Sequence, residues 1–137
     1  MITAVDTSVL LDLLLGDETF GSRSATALRT AKCQGALIAC AVVWAEVAAI
    51  FPTAQAATAA LDMLGVEYRA LQRNDAIAAG EVWSAYRRAG GTRNRIIPDF
   101  LIGAHAASSA DRLLTRDRGF HRDYFRNLVI MDPTAPA

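Results

Sequence analysis

The sequence predicts an α/β protein, a three-layer α/β/α sandwich around a central, mostly parallel sheet. Five short and mostly apolar segments have the length of buried strands, at 2–5, 36–39, 66–71, 112–114 and 128–131. Segments with helical periodicity separate successive runs. Because strands and helices alternate along the whole chain, the sheet is expected to be parallel with helices on both faces. A chain of 137 residues is the size of one domain, so we assign residues 1–132 to a single domain and 133–137 to a frayed tail.

Helices are predicted at 9–14, 22–31, 42–51, 54–64, 76–88, 99–108 and 119–124. Several of them have recognisable ends. Gly35 and Gly65 stop the second and fourth helices, and Pro52 stops the third. Thr53 and Asn74 have the side chains of N-caps and stand just before two of the helices.

The composition excludes several classes of protein. A hydrophobic content of 53% argues against disorder. No apolar run approaches the roughly 18 residues of a membrane span, and the N-terminus lacks the pattern of a cleavable signal. Cys33 and Cys40 have no metal-binding partners at zinc spacing. We therefore expect reduced thiols in a cytoplasmic protein without a membrane partner.

The charge is unevenly distributed although the net charge is zero. Residues 87–126 hold nine arginines and four acids, a net charge of +5, which leaves −5 for the rest of the chain. Arginine makes bidentate contacts with phosphate, so an anionic polymer is one expected partner. The alternative is that a GC-rich genome favours arginine codons and these side chains only form solvated faces. Charge alone does not separate the two interpretations.

Four acids occupy special places in this pattern. Asp6 and Asp117 each follow a predicted strand, and the carboxyl ends of parallel strands meet at one edge of the sheet. Asp99 and Glu46 lie near the start of helices expected at the same edge. The topology therefore predicts that the four carboxylates converge on one cleft. Taken singly, the three aspartates could be helix caps and Glu46 an exposed helix residue.

Clustered carboxylates repel one another unless a cation neutralises them. Oxygen ligands without histidine or thiolate favour Mg²⁺ or Mn²⁺ over zinc, and such ions commonly act on phosphates. The residues beside the acids that we expect to touch substrate are Ser8, Arg95, Thr115 and Arg116. His105 and His121 are interpreted as packed or half-exposed residues outside the site, and Asp12 as part of a solvated turn with Asp17 and Glu18.

Four motifs in order, VDTSVLLDLL, WAEV, RIIPDFLIGAHA and LLTRDRGF, resemble the pattern of PIN domains, specifically the VapC-type toxins. The resemblance covers nearly the whole chain. It implies a PIN-like sandwich, usually a homodimer, that cleaves RNA with Mg²⁺ or Mn²⁺ and leaves a 5′-phosphate. It also implies an acidic quartet of Asp6, Glu46, Asp99 and Asp117, with Asp6 and Asp99 the firmest metal ligands.

The same resemblance implies a cognate VapB-type antitoxin whose tail packs into the groove near the acids. The function hypothesis is therefore a metal-dependent endoribonuclease, the toxin component of a type II toxin–antitoxin system. Two residues depart from the family pattern. Cys40 stands where the family often has a capping Ser or Thr, and Gly103 interrupts the central helix where alanine is common. Both departures concern local stability and remove no acid.

Two alternatives remain open at this stage. One is a PIN-like module that binds RNA or a partner without cutting. The other is a receiver-type signalling domain, which is also an α/β domain with a magnesium–carboxylate site. A receiver needs an acidic pair after its first strand and a lysine near its end, whereas Glu46 falls inside a predicted helix and Lys32 is the chain's one lysine.

Overall fold

The computed structural model describes residues 1–92 and 97–135. Its centre is a five-stranded sheet of order β3-β2-β1-β4-β5 in which every pairing is parallel. Helices flank the sheet, which confirms the predicted α/β/α sandwich. The strands are β1 (Ile2–Val5), β2 (Ala36–Ala39), β3 (Val66–Tyr68), β4 (Arg112–Leu114) and β5 (Ile130–Met131). This order differs from the 2-1-3-4-5 order of receiver domains, so the receiver alternative is wrong.

The helices are α1 (Thr7–Leu14), α2 (Gly21–Gln34), α3 (Ala41–Ala48), α4 (Ala54–Leu64), α5 (Arg73–Arg88), α6 (Pro98–Ser109) and α7 (Arg118–Tyr124). All seven predicted helices are present. Within the described residues, no helix has both the length and the hydropathy needed to cross a bilayer. The cysteines are free thiols, with Cys33 exposed and Cys40 buried.

Predicted and observed elements differ mainly at their ends. The edge strands β3 and β5 are shorter than expected, because each has a single neighbour and the chain soon turns away from it. The Leu128 amide, for example, donates to the Phe125 carbonyl at 3.0 Å in a turn that precedes β5. Asn74 was predicted as a cap, but it lies inside α5, which starts at Arg73. The N-cap is Gln72, and its backbone amide donates to Asp75 at 2.8 Å.

The first residues after β5 are held by local hydrogen bonds. The Thr134 amide and hydroxyl both donate to Asp132, at 2.8 and 2.7 Å. Residues 136 and 137, the last of the predicted frayed tail, lie outside the described residues.

The topology changes direction between the two central strands. From β1 the chain proceeds to β2 on one side, whereas β4 leads to β5 on the other. β1 and β4 pair in parallel with Val5 opposite Leu114, and the Asp6 amide donates to the Leu114 carbonyl at 2.9 Å. In open parallel sheets, ligands bind beyond the carboxyl ends of the strands at such a switch point. The segments after Val5 and Leu114 are thus brought side by side where a site is expected.

A second apolar cluster is separate from the main core, which includes the strands of the sheet. Its centre is the fully buried Phe100, whose ring centroid lies 5.6 Å from that of Tyr86 and 5.1 Å from that of Phe120. Tyr124 and Phe125 add further rings from the end of α7 and the residue after it. Aromatic packing therefore fastens α5, α6 and α7 together.

Gly103 lies against this cluster. Its contact with Phe125 explains why glycine stands where alanine is common in the family pattern. A Cβ atom on Gly103 would lie 2.3 Å from Cε2 of Phe125, a residue that is itself buried. Glycine in place of alanine destabilises the helix by roughly 1 kcal/mol. It also allows the ring of Phe125 to pack directly against the backbone of α6.

Gly103→Ala is expected to lower the free energy of unfolding by about 1–3 kcal/mol, because the Phe125 ring must shift within a packed cluster. Gly80→Ala is the matched control: it is also a helical glycine, but its Cβ would have no neighbour within 4 Å. That variant should gain up to about 1 kcal/mol from helix propensity. Urea denaturation measures both. Equal stability of the two variants would contradict the packing argument.

Candidate metal centre

Three ligand-type side chains meet at the switch point. Asp6 follows β1, Asp99 is the second residue of α6, and His121 lies on α7. Each offers one ligand atom, and these atoms all lie within 4.8 Å of one another. Two of the three, Asp6 and Asp99, are the predicted firmest metal ligands. His121 was not among the predicted site residues.

Asp6 is buried, with 5% of its surface exposed, and both of its oxygens are held. The Thr7 amide donates to Oδ1 at 2.7 Å, so Asp6 also caps α1. The Thr115 hydroxyl donates to Oδ2 at 2.6 Å, and the Ser8 hydroxyl lies 3.5 Å from the same atom. Because a carboxylate oxygen has two lone pairs, Oδ1 keeps one for a cation beside the hydrogen bond from Thr7. Asp6 therefore has two roles, as the N-cap of α1 and as a member of the three-residue group.

Thr115, which was predicted to contact substrate, makes two hydrogen bonds within the protein. Its side chain is fully buried, and its hydroxyl donates to Asp6 while accepting from the Asp117 amide at 3.0 Å. A buried hydroxyl that is engaged in both directions positions the carboxylate and the segment after β4. Ser8, the other predicted hydroxyl, is half-buried beside Asp6.

Asp99 is half-buried at the start of α6. Pro98 occupies the first helical position and Ile97 is the N-cap, so the interpretation of Asp99 as an N-cap is wrong. A carboxylate in the first turn is still favoured there, because the helix N-terminus carries partial positive charge. The helix start thus helps to hold an ionised Asp99 close to Asp6.

Glu46 and Asp117 lie around this group without belonging to it. Glu46 is exposed, but its Oε1 accepts a hydrogen bond of 2.8 Å from the Thr7 hydroxyl, next in sequence to Asp6. Asp117 is exposed at the N-cap position of α7, and its charge acts on His121. The predicted quartet therefore shares one edge of the sheet, with two acids in the tight group and two beside it.

His121 is packed, as predicted, but it is packed against the acids. It is 0% exposed, and its ring lies 5.2 Å from that of Phe120. Neither ring nitrogen has a hydrogen-bond partner within the described part of the chain. Burial lowers the pKa of His121, while the charges of Asp6 and Asp117 oppose that shift. The sequence signal that could have found it is its position four residues after Asp117, which on a helix means the same face.

Asp12 and Arg116 form an ion pair beside the site, and the prediction that Asp12 is solvated is wrong. Asp12 is 5% exposed rather than solvated, and the Ser24 hydroxyl donates to it at 2.9 Å. Arg116 was expected to contact substrate, but its guanidinium donates twice to Asp12, at 2.7 and 3.0 Å, and lies 4.2 Å from the centroid of the Phe20 ring. This pair ties the segment after β4 to α1. Arg95 lies outside the described residues.

The donor set fits a divalent cation. Two carboxylates supply the hard oxygen ligands that Mg²⁺ and Mn²⁺ prefer, and imidazole is a ligand of the first-row transition metals. The ring nitrogens of His121 are buried and have no hydrogen-bond partner among the described residues, which further indicates a site for a bound ion.

A family model for the PIN domain matches residues 3–125. The chain therefore belongs to the PIN-domain family. A search of curated protein sequences found no significant match.

Solved structures of similar fold include a VapBC2 complex from Rickettsia felis bound to a DNA fragment from its promoter, with a TM-score of 0.72 and 18% identity over 96% of this chain and 98% of that one. VapBC-1 from nontypeable Haemophilus influenzae has a TM-score of 0.72 and 18% identity, covering 98% of this chain and 100% of that one. A toxin–antitoxin complex from Klebsiella pneumoniae has a TM-score of 0.67 and 21% identity, covering 98% and 99%. At these identities the likeness concerns the fold.

Proposed function

We propose that this PIN domain is a metal-dependent endoribonuclease, the toxin component of a type II toxin–antitoxin system. The observation that carries the proposal is the approach of Asp6 and Asp99 to within 4.8 Å at the switch point of the sheet. Two carboxylates held so close favour a cation between them. The proposed cofactor is Mg²⁺ or Mn²⁺, with Asp6 and Asp99 as ligands and Glu46 and Asp117 as further acidic groups of the site.

A cation bound there would stabilise the charge that develops on a phosphodiester and make an attacking water more acidic. The protein's own part is to hold the ligands in place. Thr7 and Thr115 fix the two oxygens of Asp6, and Thr7 also holds Glu46 through its hydroxyl. Electrostatic stabilisation of a transition state is strongest when the charged groups are already in position and need not reorganise during the reaction. The fixed positions of Asp6 and Glu46 would therefore favour catalysis.

RNA is the proposed substrate because exposed arginines lie on, or directly after, helices that carry or contact the residues of the acidic centre. Arg122 and Arg126 are exposed on α7 and just after it, on the segment that carries His121. Arg87 and Arg88 are exposed at the end of α5, which packs against α6. Arginines placed around a metal centre would bind the phosphate backbone and bring it to the acids.

A VapB-type antitoxin is the proposed partner. Support comes from the similar structures, among them the toxin–antitoxin complex from Klebsiella pneumoniae. The proposed antitoxin places its tail in the groove beside the four acids, where it would exclude RNA. A homodimer in the cytoplasm is proposed as the form in which the chain acts.

Removal of divalent metal is expected to abolish RNA cleavage. Purified protein free of antitoxin would be incubated with total cellular RNA in Mg²⁺, in Mn²⁺ and in excess EDTA. Cleavage should appear with metal, yield 5′-phosphate ends and disappear with EDTA, because the carboxylates alone cannot stabilise charge on the phosphate. Equal cleavage in EDTA would refute the metal mechanism. Folded protein that binds RNA without cutting it in either metal would favour the non-catalytic alternative.

A further inference from the structure

The cluster at the switch point contains a group that the family resemblance did not supply. His121 is fully buried, and its two ring nitrogens have no hydrogen-bond partner within residues 1–92 and 97–135. Buried polar atoms in proteins are nearly always paired, so a histidine with neither nitrogen satisfied needs an explanation. The contact with the Phe120 ring explains why the His121 ring is buried, but it supplies no hydrogen bond to the ring nitrogens.

The position of His121 suggests what would satisfy it. One of its nitrogens lies within 4.8 Å of oxygens of both Asp6 and Asp99. Ligand atoms around one six-coordinate ion of this size lie about 3.0 Å apart when adjacent and about 4.2 Å apart when opposite. The three atoms are therefore close enough to share one ion once they draw together around it.

We infer that His121 is a nitrogen ligand of the cation held by Asp6 and Asp99, and that it gives this site a preference for Mn²⁺ over Mg²⁺. The inference rests on the proposed metal centre and deepens it. The resemblance implied a site made of acids alone, which would leave the choice between the two ions open.

The preference follows from the chemistry of the ligands. Mg²⁺ binds oxygen, demands near-ideal octahedral geometry and gives up its water reluctantly. Mn²⁺ also accepts carboxylate and water, but as a first-row transition metal it gains from an imidazole nitrogen. Replacing one oxygen ligand by imidazole therefore strengthens Mn²⁺ binding relative to Mg²⁺ binding.

The first test detects the nitrogen directly. Pulsed electron paramagnetic resonance of Mn²⁺ bound to the full-length wild-type protein should show coupling to ¹⁴N. The coupling should change to that of ¹⁵N when the protein is labelled with ¹⁵N-histidine. This measurement needs no variant, so it stands even if substitutions at position 121 impair folding.

The second test compares His121→Asn with a buried histidine elsewhere. Calorimetric titration with Mn²⁺ and with Mg²⁺ should show the Mn²⁺-to-Mg²⁺ affinity ratio falling at least about tenfold in His121→Asn, mainly through weaker Mn²⁺ binding. His105→Gln is the matched control, since His105 is 1% exposed on α6 but is not part of the three-residue group. Its affinity ratio and nitrogen coupling should equal those of the wild type.

The outcomes separate this inference from the function on which it rests. If Mn²⁺ binds, binding is lost in Asp99→Asn and the wild type shows no nitrogen coupling, His121 is not a ligand while the proposed metal centre stands. An unchanged affinity ratio in folded His121→Asn would equally overturn the preference. If Mn²⁺ does not bind, or binds Asp99→Asn as well as wild type, both the inference and the proposed centre are refuted.

Discussion

Asp99→Asn is expected to reduce metal-dependent RNA cleavage at least about 100-fold, the scale of losing one electrostatic contact to a reacting group. Asparagine keeps the size of the side chain and removes its charge. Asp99 approaches Asp6 to within 4.8 Å, so the loss halves the negative charge of the tight group. The weaker field would bind a divalent cation less tightly. The measurement is the initial rate of cleavage at saturating Mg²⁺ or Mn²⁺, read together with metal affinity.

The same substitution should cost little stability. Asp99 is half-buried in the first turn of α6, where its charge gains about 0.5 kcal/mol from the helix N-terminus. Removing one of two neighbouring carboxylates also relieves their repulsion, and the two effects oppose each other. Thermal unfolding and circular dichroism should therefore be close to wild type, which makes Asp99 a cleaner target than the buried Asp6.

Asp123→Asn is the matched control for the charge change. Asp123 is an exposed aspartate on α7, 3.9 Å from Arg122, and belongs to no group of metal ligands in the described chain. Its removal should leave the cleavage rate within about twofold, because an exposed pair contributes little. If Asp99→Asn were folded and cut RNA as fast as Asp123→Asn does, the proposed centre would be in the wrong place.

Much of the fold could be predicted because its signals are local. The strands at 2–5, 36–39 and 112–114 match the structure residue for residue, since a buried strand in a parallel sheet is a short and mostly apolar segment. The meeting of Asp6 with the segment of Thr115 followed from one topological rule, that parallel strands end at one edge. Local pattern and topology together were enough to find the edge that carries the acids.

The contacts that were missed depend on partners far away in the sequence. Asp12 appeared to be a solvated turn residue because its cation, Arg116, lies 104 positions later. Gly103 appeared to be a local weakness because the ring that needs its space belongs to Phe125. His121 was interpreted as lying outside the site because its approach to Asp6 and Asp99 joins α7 to two distant segments of the chain. Each of these contacts depends on tertiary packing, which periodicity does not encode.

The structure also shows why the acids stay in place. Hydroxyl groups hold two of them: Thr7 donates a hydrogen bond to Glu46, and Thr115 donates one to Asp6. A cationic partner would neutralise the carboxylates and compete with a metal for them, whereas a hydroxyl leaves their charge available. The nearby Arg116 is kept away from the acids by its bidentate pairing with Asp12. Charge is thus preserved where the cation is proposed to bind.

Phe100→Ala is expected to lower the free energy of unfolding by about 3–5 kcal/mol, the usual cost of removing a buried phenylalanine side chain. Phe100 is 0% exposed and contacts the rings of Tyr86, Phe120 and Tyr124. Those contacts join α6 to α5 and α7. Chemical denaturation followed by circular dichroism measures the loss, which is a large fraction of the stability of a typical domain.

The substitution should also weaken the metal centre in the fraction that remains folded. Phe100 is next to Asp99, and its neighbour Phe120 is next to His121, so a cavity there loosens two sides of the cluster. Leu61→Ala supplies the comparison. Leu61 is 0% exposed on α4, which carries no site residue, and its loss costs about 2–5 kcal/mol. With both variants folded at low temperature, Mn²⁺ affinity should fall in Phe100→Ala alone. An equal fall in both would mean that the site responds to stability in general, not to the packing of α6 against α7.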